Sequence, residues 1–359
     1  MGGQEQRIKE LDGWRAISVS LVLFMHFFIY HLPRQRPRFD LLNHTIRCMG
    51  PLGVNIFFVI SGLVICRLLI LEDIRYGKIS LKGFYFRRIF RILPPFYLYM
   101  AVISLLLAAG LIHQDWRQIV VNSLFLADIR FLPRDWFVGH TWSLAVEEQF
   151  YLIFPSLWVL TPQRHKSRVF ITVFLFCVLW SLSLMFGGRT SIVEAETRAG
   201  FSCISCGVLI AIHEQRVRRL AARIPAVVVA LVACMLLLHP TPAKTWTDAV
   251  YTSLVIPLAI GLLLTFSLER GPQLRALLCA RPVQAMGLTS YGIYLWQQVF
   301  NGPKNFYAGW GIVLWYLLPL LLVIVPLSYY FVEKPAMRYG KMLSKRARES
   351  TTMSSSAVA

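Results

Sequence analysis

The stretch from Asp12 to Tyr30, DGWRAISVSLVLFMHFFIY, decides the fold. It is apolar and long enough for a membrane-spanning helix, yet it carries Arg15 at its start and His26 deep inside. On a helix, eleven residues separate the two by about 16 Å along the axis and leave them within about 20° of one face. Asp12 lies one turn before Arg15 on that face, where it can hold the guanidinium. An ionisable group inside a span is costly and marks function by default. An imidazole also titrates in the range that suits proton transfer. The plainer alternative is an interfacial Arg15 that sets topology and a His26 satisfied by a neighbouring helix.

The rest of the 359 residues repeats that first pattern. The chain is 56% hydrophobic with a mean hydropathy of +0.57, and apolar runs recur from end to end. This composition excludes an ordinary soluble domain and predicts an all-α, polytopic helical membrane protein. Ten spans are expected, over residues 14–31, 51–71, 94–112, 143–160, 168–186, 200–213, 224–239, 248–267, 284–301 and 309–332. A formal charge of +19 would suit nucleic acid, but the Lys and Arg fall in short clusters between apolar runs, which is a topological pattern. With ten spans, the segments on the side of the termini hold 24 Lys and Arg against 11 opposite, so both termini are expected in the cytoplasm. No small-residue cleavage site follows the first run, which speaks against a removable signal peptide.

The opposite loops are 32–50, itself basic, and 113–142, whose Trp116, Trp136 and Trp142 suit an interface belt. Cys203 and Cys206 form a CxxC without a second Cys or His pair, so helix packing explains them better than a metal. Cys48 is expected alone in a loop. Residues 341–359 end in ESTTMSSSAVA and read as a disordered cytoplasmic tail.

Several stretches carry possible chemistry. GVNIFFVISG, residues 53–62, brings Asn55 and Ser61 between two glycines, a pattern that suits close helix packing or a substrate contact. FYFRRIFRILPP, residues 84–95, puts Arg87 and Arg91 on one helical face with Arg88 beside them. Three guanidiniums there suit a polyphosphate or anionic lipid headgroups. In HTWSLAVEEQFYLIFP, residues 140–155, Ser143 or Thr141 can cap the helix, and Glu147 and Glu148 fall about one turn inside it. Adjacent carboxylates in a span have few structural explanations. Tyr151 shares the Glu147 face. By depth, Glu147 matches His26, which makes a general base and its partner if the first and fourth spans pack together. Arg198 in TRAGFSCISCGVLIA falls at the outer end of the sixth span, and Tyr291, Trp296, Gln297 and Gln298 in LTSYGIYLWQQVF are polar enough to line a cavity. Glu333 and Lys334 in FVEKP read as a simple interfacial pair.

Taken in order, LDGWRAISVSLVLFMH, GVNIFFVISG, RRIFRILPP, HTWSLAVEEQFYLIFP, TRAGFSCISCG, SYGIYLW and FVEKP resemble the acyltransferase 3 family of integral-membrane O-acyltransferases. The resemblance covers about residues 8–340 and implies a ten-helix acyltransferase domain in the bacterial cytoplasmic (inner) membrane. It implies transfer of an acyl group, most simply acetyl, from cytoplasmic acyl-CoA to a hydroxyl of a cell-envelope or exported glycan, with no metal and no nucleic acid. The family's functional Arg and His fall on Arg15 and His26, its acidic residue on Glu147, and its arginine motif on Arg87, Arg88 and Arg91. Substrate contacts are expected from Asn55, Ser61, Trp142, Glu148, Tyr151, Arg198 and Tyr291. Two positions depart from the pattern: Asn55 stands where Asp is frequent, and Gln297 where His is frequent. Gln exchanges no proton at neutral pH. The esterase domain fused to some members is not seen in this sequence, so any second transfer step would need a separate periplasmic protein.

The residues and the resemblance lead to one expectation. Arginines grip the coenzyme A phosphates, and His26, about 16 Å outward, acts as general base assisted by Glu147. A covalent acyl intermediate is a variant of the same chemistry. The competing expectation is a proton-coupled transporter or flippase of a lipid-linked or glycan substrate.

Overall fold

A computed structural model of the protein describes residues 8–31, 40–128, 135–183, 192–238, 246–269, 272–311 and 316–356. Helices dominate, and among the described residues the only β pairing is an isolated bridge between Ile112 and Tyr307. The first half of the chain folds as α1 (Lys9–His31), α2 (Asp40–Tyr76), α3 (Leu81–Ala108), α4 (Trp116–Ser123), α5 (Trp136–Gly139) and α6 (Trp142–Leu160). The middle follows as α7 (Lys166–Leu182), α8 (Ile192–Ile212), α9 (Glu214–Ala221), α10 (Ala226–Leu238), α11 (Trp246–Val250) and α12 (Ile256–Glu269). The last part is α13 (Pro272–Leu278), α14 (Arg281–Leu288), α15 (Ser290–Trp296), α16 (Leu321–Ser328) and α17 (Lys334–Ser356). Single π-helical turns, Tyr251–Val255 and Tyr329–Glu333, join α11 to α12 and α16 to α17.

The protein is an all-α, multi-pass membrane protein, as the apolar runs predict. Seven helices are long and apolar enough to cross a membrane, or eight if α9 and α10, bent by 105°, form one broken span. Ten were expected, and the difference has local causes. The α6 helix has the length, but Glu147, Glu148 and Gln149 interrupt its apolar run. The run at 284–301 breaks between α14 and α15 and ends in a 3-10 turn after Trp296. Helix starts are marked where capping residues occur: Ser80 Oγ accepts from Gly83 N at 3.1 Å, and Asp115 Oδ1 from Arg117 N at 2.9 Å.

The chain divides into two compact units. Unit 1 comprises residues 1–68 and 163–290. There α1 packs against α12, α13 and α14, and α8 packs against α7 and α12. Glycines set the closest approaches. A Cβ on Gly62 would lie 2.0 Å from the Ile204 carbonyl oxygen, and one on Gly207 would lie 2.1 Å from that of Val59, so α2 and α8 press backbone on backbone at two reciprocal points. Gly287 brings α14 onto the Asp12 carbonyl in the same way. Cys203 and Cys206 are buried beside this crossing, and Cys206 Sγ contacts the Pro257 carbonyl at 3.4 Å, which fits their reading as packing residues. Cys48 is buried within α2 rather than in a loop, because that helix starts at Asp40; residues 32–39, with Arg34, Arg36 and Arg38, lie outside the described residues.

Unit 2 comprises residues 69–162 and 291–359. Here α3 packs along α17, with Gly83 against Ser344 and Gly340 against Phe90. The α17 helix continues through Ser356, well into the stretch whose small polar residues point to disorder. Its first half is fixed by packing on α3, and Arg348 Nη2 reaches Glu72 at 3.5 Å. Of the three tryptophans read as an interface belt, only Trp116 is exposed: Trp142 is buried, and the Trp136 indole donates to the Gln298 carbonyl at 2.8 Å.

The reciprocal glycine crossing predicts that Gly62→Val and Gly207→Val each cost at least the 1–3 kcal/mol typical of overpacking, roughly, because the obstacle is backbone and cannot swing aside. Thermal unfolding of the purified protein in detergent should register both, with Leu105→Ala on the exposed face of α3 as an unaffected control. Equal midpoints for all three variants would refute the crossing.

Candidate functional site

In unit 1 the α1 motif forms as read. Arg15 Nη1 donates to Asp12 Oδ1 at 2.9 Å, and Asp12 is buried at 2% exposure. Asp12 itself is fixed by Gly287 pressed against its carbonyl, so the position of the guanidinium is inherited from the α1–α14 crossing. Trp14 adds a second anchor, donating to Ser267 Oγ at 2.8 Å. His26 lies eleven residues along, near the α1–α2 contact where Gly50 of α2 makes room for Met25; its Nδ1 is shielded from solvent. Asn55 is buried and Ser61 half-buried on α2. Arg198 spends its donors on the Trp180 carbonyl at 2.6 Å, Ser183 Oγ at 2.9 Å and Glu194, and its guanidinium sits 4.8 Å from the Trp180 ring centroid. That set of partners ties α8 to the end of α7.

In unit 2 the three motif arginines go to different places. Arg87 binds Glu72 Oε2 at 2.8 Å and Ser344 Oγ at 2.6 Å. Glu72 is buried and also accepts from Ser80 N at 3.2 Å while facing Arg348. Arg87 thus joins α2, α3 and α17. Arg88 lies over the Phe84 and Tyr151 rings, at 5.8 and 5.4 Å, and within electrostatic reach of Glu148. Arg91, exposed, faces Glu333 and Tyr291.

These contacts define a charged cluster. Tyr291 donates to the Ile92 carbonyl at 3.0 Å and feels the charges of Glu147, Glu148, Glu333 and Arg91. Glu147 and Glu148 are half-buried, with one Glu148 oxygen fully shielded. Glu148 lies within electrostatic reach of Glu147 and Arg88, and Glu333 within reach of Arg91. Trp142 and Tyr151 are buried at the start and middle of α6. Thr141 occupies the N-cap position of that helix without capping it. Its hydroxyl goes to Asn122 Oδ1 at 2.5 Å and the Val138 carbonyl, while Ser143 Oγ meets Tyr294 and the His140 carbonyl instead. Among the described residues no three His, Cys, Asp or Glu side chains gather as metal ligands.

Two participants escaped the sequence. Glu333, read as an interfacial pair with Lys334, is buried, accepts from Ser328 Oγ at 3.5 Å and abuts Gly292. The π turn at 329–333 rotates it inward, and nothing in FVEKP announces that turn. Glu72 looks solvent-exposed in LEDIRY because its partners, Arg87 and Arg348, lie far along the chain.

Comparison with known proteins agrees with the family resemblance. A family described as acyltransferase domain matches residues 8–333. The chain belongs to that family. It is 29% identical over 93% of its length to the Bacillus subtilis (strain 168) protein named "Putative peptidoglycan O-acetyltransferase YrhL", covering 55% of that protein. It is 26% identical over 92% of its length to O-acetyltransferase OatA of Staphylococcus aureus (strain NCTC 8325 / PS 47), covering 57% of it. The chain therefore spans a little over half the length of these curated relatives. No solved structure matches it.

Breaking a buried pair leaves an uncompensated charge, worth about 3 kcal/mol. Glu72→Ala should lose about that much in thermal unfolding, because it strands both Arg87 and Arg348. Lys345→Ala, exposed at the surface of α17, should stay within about 0.5 kcal/mol. Similar losses for the two variants would contradict the different placement of these residues.

Proposed function

We propose that this protein is a membrane O-acyltransferase that moves an acetyl group from acetyl-CoA to a hydroxyl of a cell-envelope glycan. The observation that carries the reading is α1 itself: in a chain of the acyltransferase-domain family, one membrane helix holds Arg15 on a buried Asp12 and presents His26 eleven residues along the same face. The names of the two relatives support acetyl as the group and a glycan such as peptidoglycan as the acceptor.

In this mechanism the acceptor oxygen attacks the thioester carbon as His26 takes its proton. The C–S bond then breaks, and the proton passes to the departing sulfur, giving the ester and free coenzyme A. Arg88 and Arg91 supply positive charge for the donor phosphates, and Arg15, on the same helix as His26, assists the catalytic step. Arg87 supports them by fixing α3. Glu147 and Glu148 handle protons, and Asn55, Ser61, Trp142, Tyr151 and Tyr291 serve substrate contacts. Arg198 acts as a positioning residue for α8. Both termini lie in the cytoplasm of a bacterial inner membrane, where acyl-CoA is available, and a separate periplasmic protein completes delivery where the acceptor lies beyond reach.

General-base removal costs about 10²–10⁴-fold. In nanodiscs with acetyl-CoA and a glycan extract, His26→Ala should therefore lose at least about 100-fold in coenzyme A release while its unfolding midpoint stays near wild type. Glu147→Gln should also fall, and a His26/Glu147 double-mutant cycle reads whether the two act as one unit. Near-normal release from His26→Ala would end this mechanism. Glycan movement by wild type without coenzyme A release would favour transport instead.

A further inference from the structure

The motif that begins at Ser290 contains a second polar group that the proposed chemistry does not use. After α15 the chain makes a tight turn over Trp296–Asn301 within unit 2. Gln297 is 0% exposed and Asn301 1% exposed. Both polar atoms of each side chain are shielded and have no protein hydrogen-bond partner, nor have Trp296 Nε1 and Gln298 Oε1. Six such atoms fall within six residues, whereas the neighbouring phenols and the Trp136 indole are paired. Tyr294 donates to the His140 carbonyl at 2.8 Å and meets Ser143 Oγ at 2.8 Å. Tyr99 donates to the Phe137 carbonyl at 2.6 Å, and Trp136 to the Gln298 carbonyl at 2.8 Å. Tyr307 donates to the Val299 carbonyl and accepts from Gly302 N, each at 3.0 Å, which locks the turn. Burial pushes the Tyr307 phenol up to about 12, so it stays a neutral donor.

Buried amides left without partners are costly and rare in native proteins. Here they sit against aromatic walls: the Tyr99 ring lies 5.5 Å from that of Trp296 and 5.7 Å from that of His140. Carboxamides both donate and accept, which matches hydroxyl and secondary-amide groups and gives no advantage to a charged group. Aromatic faces beside a few placed polar groups are what small-ligand sites are made of.

We propose that the Trp296–Asn301 turn is a binding site for an uncharged ligand bearing hydroxyl or secondary-amide groups, held by the Gln297 and Asn301 side chains and the Trp296 indole N–H. Which molecule supplies those groups rests on the acyltransferase reading, where both an N-acetylated sugar of the acceptor and the pantetheine arm of the donor carry them. The site itself does not rest on it.

The test is thermal unfolding of the full chain in nanodiscs, titrated separately with an N-acetylglucosamine tetrasaccharide and with pantetheine. One of the two should raise the wild-type midpoint, the sugar marking an acceptor site and pantetheine a donor site. Gln297→Met and Asn301→Leu replace amides by apolar groups of similar shape. Each should leave the ligand-free midpoint at or above wild type and weaken the apparent Kd at least tenfold. Failure of both probes to shift wild type would overturn the proposal. So would variants that lower the ligand-free midpoint yet keep the ligand shift, since the amides would then be internal structure. Protection by a probe without any acetyl-CoA turnover would sink the enzymatic reading and leave this site standing.

Discussion

A carboxylate taken into an apolar helix bundle loses its hydration, and it remains charged only where a cation replaces the water. This protein meets that demand with arginine. Asp12 has Arg15, Glu72 has Arg87 and Arg348, Glu194 has Arg198, and Glu214 has Arg67 and Arg218. Guanidinium suits the task because it is always charged and binds carboxylate with a planar fork. The pairs that run between helices also fix them. Glu72 holds α3 and α17 to the end of α2, and Glu214 holds α9 to α2 through Arg67 at 2.7 Å.

Charge pairing sets which helices meet, and small residues set how closely. Lipid is as apolar as leucine, so helices in a bilayer gain little by burying side chains and must rely on packing and hydrogen bonds. The Gly62–Gly207 crossing answers this in unit 1, as the Gly83 and Gly340 contacts do in unit 2. Gly287 connects the two devices, since its close approach places Asp12 and Asp12 places Arg15. A packing residue on α14 thereby determines where the Arg15 cation on α1 stands.

The parts of this arrangement that were legible in the sequence are those carried by local periodicity. Arg15, three residues after Asp12, forms its ion pair as the helical spacing predicts, and the apolar runs mark the long helices. What periodicity cannot carry is a change of helical phase. The π turn at Tyr329–Glu333 and the break after Leu288 are such changes. Glu72 was illegible for a different reason. Its partners lie 15 and 276 residues away in sequence, and no local pattern encodes such a meeting. Thr141 illustrates competition: a residue well suited to cap α6 is taken by a buried amide instead.

The arginine motif is where these themes converge. Read along one helix, Arg87, Arg88 and Arg91 look like a single anion-binding fork. In the folded protein Arg87 is a structural tie, while Arg88 and Arg91 each already face a carboxylate. On the proposed reading, a donor phosphate arriving at Arg88 and Arg91 therefore competes with Glu148 and Glu333 for the same cations. The competition eases when a carboxyl group takes up a proton, because like charges then no longer crowd the cluster. On that reading anion binding and proton uptake would be coupled by charge balance, while what the folded protein shows of the motif is that Arg87 serves the fold.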